Sequence, residues 1–197
     1  MRYSSNHKQE TRERIIETAA RSFREKGFDG TGVQALMADA GLTNGAFYNH
    51  FESKEDLIAE AIAAGLSQRL KAVQEHIDAG RGVEGHIDSY LSVSHRDNPG
   101  TGCPTATLAA EVARHTDEVR QSFTDGLAQY LELLATQWPD LSHEAAIDRA
   151  MVLYSLMSGT MQLARATPDD ALSRRILDTG KKAAMAMLTV AQSAKRK

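Results

Sequence analysis

A single cysteine, Cys103, is the only thiol in 197 residues, so no disulfide can close within the chain, which fits a reducing compartment. With only four prolines and no β-branched runs bounded by turn residues, the chain offers strands no place to start. No uninterrupted apolar stretch approaches roughly 18 residues, which excludes a membrane-spanning helix. The first ten residues are polar and hold no apolar signal core, predicting a cytoplasmic protein. The seven histidines include no His-x-x-x-His pair and no Cys/His cluster of metal-ligand spacing. A phosphate-cradling glycine loop and a Gly-x-Ser-x-Gly elbow are also missing. Catalysis, a metal and a cofactor are therefore not expected, and His115 near Asp117 and Glu118 reads as helix capping. The net charge of −3 does not advertise a polyanionic partner.

What is present is helical. Hydrophobic residues make up 42% and charged residues 25%, a globular balance. Charge is unevenly placed. Residues 1–26 hold seven basic and four acidic side chains, the remainder 16 and 22, and a basic leading segment on an acidic body can orient a protein toward a polyanion. An ordinary solvated helix face explains the same charges. Apolar positions Ile15, Ala19 and Phe23 recur at helical spacing up to Gly27, a left-handed stop. Short helices are predicted over 33–40 and 44–50, the second capped by Thr43. Ser53-Lys54-Glu55-Asp56 has the capping-box arrangement and opens a long helix to about Ile77. Further helices read over 83–94, 105–113, 117–136, 142–166 and 168–193, the last with Pro168 at its first position. The fold class is all-α with about nine helices, and the loosest loop is 97–102.

Val33–Ala40 and Asn44–His50, separated by a glycine turn, have helix-turn-helix spacing. Leu36, Leu42, Phe47 and Phe51 can pack inward against Phe23 and Ile16. That leaves Gln34, Thr43, Asn44, Tyr48 and Asn49 outside, hydrogen-bonding groups without a carboxylate among them. Asn and Gln can bond adenine at two points, whereas Tyr, Thr and His more often meet phosphate oxygens. Gly45 permits close approach. Lys54 stands in the first turn of a helix, where its ammonium and the free N–H groups suit a phosphate.

The run Thr31-Gly-Val-Gln-Ala-Leu-Met-Ala-Asp-Ala-Gly-Leu-Thr-Asn-Gly-Ala-Phe-Tyr-Asn-His-Phe51, followed by Ser53-Lys54-Glu55-Asp56-Leu57, resembles the DNA-binding domain of TetR/AcrR-type transcriptional regulators. The resemblance is close over about residues 10–58. It implies a helix-turn-helix domain over 1–52 and an effector-binding and dimerisation domain over 53–197. It also implies a homodimer on double-stranded operator DNA, with repression usually relieved by a small molecule of unknown identity. Carried over by position, Gln34, Asn44, Gly45 and Tyr48 face bases, while Thr31, Thr43, Ala46, Asn49, His50 and Lys54 lie at or near phosphates. Gly32, Asn44 and Met37 depart from the usual Thr or Ser, Lys and Ala of the pattern.

In the second domain, candidate pocket liners are His86, Tyr90, Leu108, Phe123, Leu127, Tyr130, Trp138, Met151, Tyr154, Met157 and Met161, and plain core packing explains the same pattern. Aromatics with few charges favour an apolar or aromatic ligand. Cys103, before a helix start, is either a thiol sensor or a buried filler. Small residues Ser155, Ser158 and Gly159 on one long helix and Gly180, Ala183 and Ala184 on the next suit a four-helix dimer seam or packing within the chain. Lys195-Arg196-Lys197 reads as a solvated tail. The rival reading is a helical ligand-binding protein that never touches DNA. The expected mechanism is a population shift in which effector tilts the long helix and the reading heads lose their spacing.

Overall fold

The computed structural model describes residues 2–193, with side chains for 6–188. The Lys195-Arg196-Lys197 tail lies outside the described residues. Among those described there are nine α-helices, two short 3₁₀ helices and no strand, which is the all-α architecture expected. In order they are α1 (Arg2–Lys26), α2 (Val33–Asp39), a 3₁₀ helix (Asn44–Asn49), α3 (Lys54–Asp78), α4 (Gly82–Tyr90) and α5 (Val93–Asp97). After a 3₁₀ turn (Pro99–Thr101) come α6 (Thr105–Val112), α7 (Asp117–Ala135), α8 (His143–Ala166) and α9 (Asp170–Ser193). No helix among the described residues is long and apolar enough to cross a membrane.

Several boundaries differ from the sequence expectation, each for a local reason. The segment after the glycine turn is 3₁₀ rather than α, and Thr43 makes no side-chain cap there. The helix predicted over 83–94 stops at Tyr90 because Leu91 leaves helical geometry, with φ −92° and ψ 48°. Ser92 then starts α5, its Oγ accepting from His95 N at 3.1 Å. Pro168 precedes α9 rather than opening it, and Asp169 is the cap, its Oδ1 accepting from Leu172 N at 2.7 Å. The capping box at α3 is present in altered form. Ser53 Oγ accepts from Asp56 N at 3.1 Å, while Asp56 Oδ2 reaches back to Glu52 N at 3.0 Å.

The chain divides into two compact units, one of residues up to Ser67 together with Pro99–Gly126, the other of Gln68–Asn98 together with Leu127 onward. The core of the first unit gathers Ile15, Phe23, Phe28, Leu36, Met37, Phe47, Phe51, Leu57, Ile58 and Ile62 with Leu108, Val112 and Val119. The loop expected to be the loosest is tied down here: Gly100 is buried, and its carbonyl accepts from Arg24 Nε at 2.8 Å. In the second unit α8 packs along α9, where a Cβ on Gly180 would come within 2.4 Å of the Thr160 side chain. That glycine sets the approach of the two helices, because any side chain would push them apart.

Candidate nucleic-acid interface and buried polar core

Three apolar anchors hold the reading segment. Phe47 and Phe51 are buried and stacked, centroids 5.6 Å apart, and Leu42 packs partly against the same core. The turn before the segment is a Schellman motif: Leu42 N donates to Met37 O at 2.8 Å and Gly41 N to Ala38 O at 2.9 Å. Gly41 adopts φ +70°, a left-handed conformation that a Cβ disfavours. With Phe47 turned in, the short helix must turn its other positions out. Asn44, Gly45, Tyr48 and Asn49 are exposed, Tyr48 by 73%. Thr43 and Gln34 are exposed beside them, and Ala46 and His50 are half-buried. No carboxylate occurs between Asp39 and Glu52. At about 2.0 Å per residue, the six residues reach about 12 Å, which matches the width of a major groove.

Two of the residues read as phosphate-facing are engaged internally. Thr31 is buried, its Oγ1 donating to Gly27 O at 3.0 Å. Lys54 is half-buried, and its Nζ donates to Phe28 O at 2.6 Å. Both therefore brace the turn between α1 and α2. That turn is also held by α6, since Glu111 Oε2 accepts from Phe28 N at 2.7 Å. The Phe28 ring meets His115 edge-on at 4.7 Å, and His115 Nδ1 lies 3.0 Å from Glu55 Oε2. Sequence reasoning missed Glu111. A lone acid on an amphipathic helix carries no signal that a backbone N–H distant in sequence awaits it.

The residues named as pocket liners fall in different places. Leu108 and Phe123 pack with the core of the first unit, and Cys103 is fully buried in that same unit. Met151 lies on the outer face of α8, 46% exposed, because Leu153, Tyr154, Met157 and Met161 occupy the inner one. Leu127 is half-buried. The second unit does bring together His86, Tyr90, Tyr130 and Tyr154, all buried. His86 Nε2 shares a hydrogen bond with the Tyr130 hydroxyl, and the Tyr90 hydroxyl lies 3.3 Å from Ser158 Oγ. Tyr130 and Tyr154 rings are 4.4 Å apart, and His95 Nδ1 donates to Tyr90 O at 2.7 Å. Burial pushes His86 down to about 3 and His95 to about 4, so both rings are neutral at pH 7.

The small residues on α8 and α9 divide as well. Ser158, Gly180 and Ala184 are buried inside the chain, whereas Ser155 and Ala183 are exposed and Gly159 faces open space. Beside these last three run large exposed apolar side chains, Met151, Val152, Leu163 and Leu172.

Residues 15–61 match the bacterial regulatory proteins of the tetR family. Among curated proteins, the chain is 41% identical over 71 residues to the HTH-type transcriptional regulator YerO of Bacillus subtilis, covering 34% of this chain and 25% of that one. To the transcriptional repressor DhaR of Mycobacterium sp. strain GP1 it is 28% identical over 110 residues, covering 55% and 56% respectively. These matches span a quarter and just over half of those relatives' lengths. To the repressor NemR of Escherichia coli K12 it is 26% identical over 165 residues, 76% of this chain and 81% of that protein. The crystal structure of reduced E. coli NemR superposes with a TM-score of 0.74 at 23% identity, covering 89% of this chain and 95% of that one, a likeness of fold.

Proposed function

Because this chain belongs to the TetR family of bacterial regulatory proteins, we propose that it is a ligand-responsive repressor that binds a palindromic operator as a homodimer. The observation that carries this reading is the carboxylate-free segment with Tyr48 73% exposed and Phe47 buried beneath it. An aromatic with a hydroxyl, two asparagines and a glycine at the tip supply base-edge and phosphate contacts without electrostatic repulsion. Lys54 and Thr31 act from below, by fixing the turn that aims the segment.

One reading segment grips few bases, so affinity requires two, placed one helical turn of DNA apart, about 34–36 Å. The outer faces of α8 and α9 supply the means of pairing. Val152 and Leu163 are 59% and 62% exposed, with the small residues Ser155, Gly159 and Ala183 between large apolar ones. A run of apolar side chains of this kind is covered in solution. A charge placed there, Leu163→Glu, is expected to convert a dimer to a monomer by light scattering; unchanged mass would overturn the seam.

The effector enters the second unit. The cluster His86, Tyr90, Tyr130, Tyr154 and Met157 is apolar with neutral hydrogen-bonding groups of its own, and the charges that act on His86, Arg69 first, come from outside it, which favours an aromatic compound with a hydrogen-bonding group. The thiol alternative at Cys103 finds no support in the geometry, since that side chain has no exposure to an electrophile. The decisive experiment is selection from a random double-stranded DNA library by the purified protein. A regulator enriches a palindrome whose affinity falls steeply with salt; no enrichment leaves the chain as a helical ligand-binding protein.

A further inference from the structure

Four asparagines occur in the chain, and only Asn44 is followed by glycine. The pair opens the 3₁₀ helix Asn44–Asn49, and both residues are exposed. In an Asn-Gly pair the glycine nitrogen stands where it can close a succinimide ring on the side-chain amide. Closure is ordinarily blocked by a Cβ on the second residue, by a hydrogen bond that holds its N–H, or by a rigid backbone. None of these acts here. Gly45 has no side chain, and outside its own helix backbone and chain neighbours nothing lies within 4 Å of where a Cβ would stand. The first bond of the helix runs from Ala46 N to Thr43 O at 3.1 Å, and Thr43 makes no side-chain cap. The Gly45 N–H therefore has no acceptor among the described residues, as is usual for the opening N–H groups of a helix. An uncapped 3₁₀ end is also poorly bonded and frays, which frees the Asn44 ψ rotation that ring closure requires.

We propose that Asn44–Gly45 is a self-modifying site that turns the reading segment anionic in protein that is not on DNA. The Gly45 nitrogen attacks Asn44 Cγ and loses its proton. A new N–Cγ bond forms as the Cγ–Nδ2 bond breaks, and ammonia departs. Water then opens the ring at either of its carbonyls. Opening at Cγ leaves aspartate, and opening at the main-chain carbonyl leaves isoaspartate, with the chain running through Cγ. Both routes exchange a neutral amide for a carboxylate, with water as the one co-reactant.

The consequence rests on the operator-binding reading above. No carboxylate occurs between Asp39 and Glu52, so a charge at 44 is the first to face the DNA. It replaces an amide donor at a base-facing position and repels the phosphates on either side. Isoaspartate also lengthens the main chain just before Tyr48. Bound operator covers residue 44 and holds the short helix, so conversion accrues in the free protein. A repressor that stays off DNA thus loses its capacity to return.

The test holds the full-length protein in warm neutral buffer beside a synthetic peptide of residues 40–48. Conversion at 44 is followed by peptide mass mapping and by separation of charge variants. Wild type is expected to convert on the timescale of the peptide, and more slowly with a duplex that it enriches from a random double-stranded library. Gly45→Ala fits the fold, since the added Cβ meets nothing and Gly45 is not at positive φ; it is expected to stay amidated and to keep its own starting affinity. Aged wild type and fresh Asn44→Asp should bind the duplex at least about tenfold more weakly than fresh wild type. An intact amide at 44 once the peptide has fully converted refutes the site and leaves operator binding standing. Conversion without loss of affinity, or at the same rate on the duplex, refutes the inactivation. If no duplex is enriched, the operator reading falls and the inactivation with it, while the mass at residue 44 still decides the site.

Discussion

Tyr48 and Tyr130 are the same residue put to opposite uses. Tyr48 is 73% exposed on a short 3₁₀ helix, and Tyr130 is fully buried with its hydroxyl bonded to His86. The histidines repeat the contrast, with His50 beside two cations at the end of the reading segment and His86 neutral in the core. On the reading segment Asn44, Tyr48 and Asn49 face outward, available to a polyanion. In the cluster around Tyr130 the polar groups face inward and bond one another, as a buried polar group requires. A tyrosine or histidine therefore announces neither recognition nor packing by its type. Its exposure and partner decide.

The largest effect that would break this contrast is on stability. Tyr130→Ala removes a buried ring and orphans His86, and is expected to cost about 3–5 kcal/mol in denaturant unfolding. Tyr48→Ala, on the exposed segment, should change stability by no more than about 0.5 kcal/mol. A comparable loss from both would mean that the reading segment is structural. Next in size, Asn44→Ala is expected to lower operator affinity by about 1–3 kcal/mol and to relax preference at one base step, measured by titration against a set of substituted duplexes.

Smaller again is Glu111→Ala, which strips the acceptor from Phe28 N and should cost about 1–2 kcal/mol in thermal or denaturant unfolding. An unchanged midpoint would show that the turn between α1 and α2 holds without α6. The last prediction concerns pH and is set apart from this order, since its size depends on how far the pH is lowered. His86 and His95 titrate near 6.5 when unfolded but only at about 3 and about 4 when folded. The unfolded chain thus binds more protons below about pH 6.5, so stability is full above that value and declines as pH falls toward about 4. Replacing His86 by Phe should flatten part of that decline; an unaltered pH profile would mean that His86 is not held neutral.

Legibility differed between the two units in the same way. Leu36, Phe47 and Phe51 were readable as the inward face because a helix-turn-helix has fixed spacing and its anchors are large and apolar. Asn44, Tyr48 and Asn49 followed as the outward remainder. Thr31 and Lys54, by contrast, take partners on the turn between α1 and α2, an arrangement that local pattern does not encode. In the second unit, Met151 and Met157 both suit a helix interior by type, yet the rotation of α8 against α9 puts one outside and the other inside. Ser158 and Ser155 divide likewise.

The sequence by itself determined the all-α class, the helix-turn-helix, and a reading segment free of carboxylates, because these depend on short-range periodicity, glycine conformation and residue type. Only the tertiary structure decided that Glu111 secures the turn below the reading segment, that Cys103 is sealed in the core, and that Arg12 lies over the Phe51 ring. Those facts depend on which side chains long-range packing brings together and how much water it leaves beside them, and neither quantity is a property of neighbouring residues in the chain.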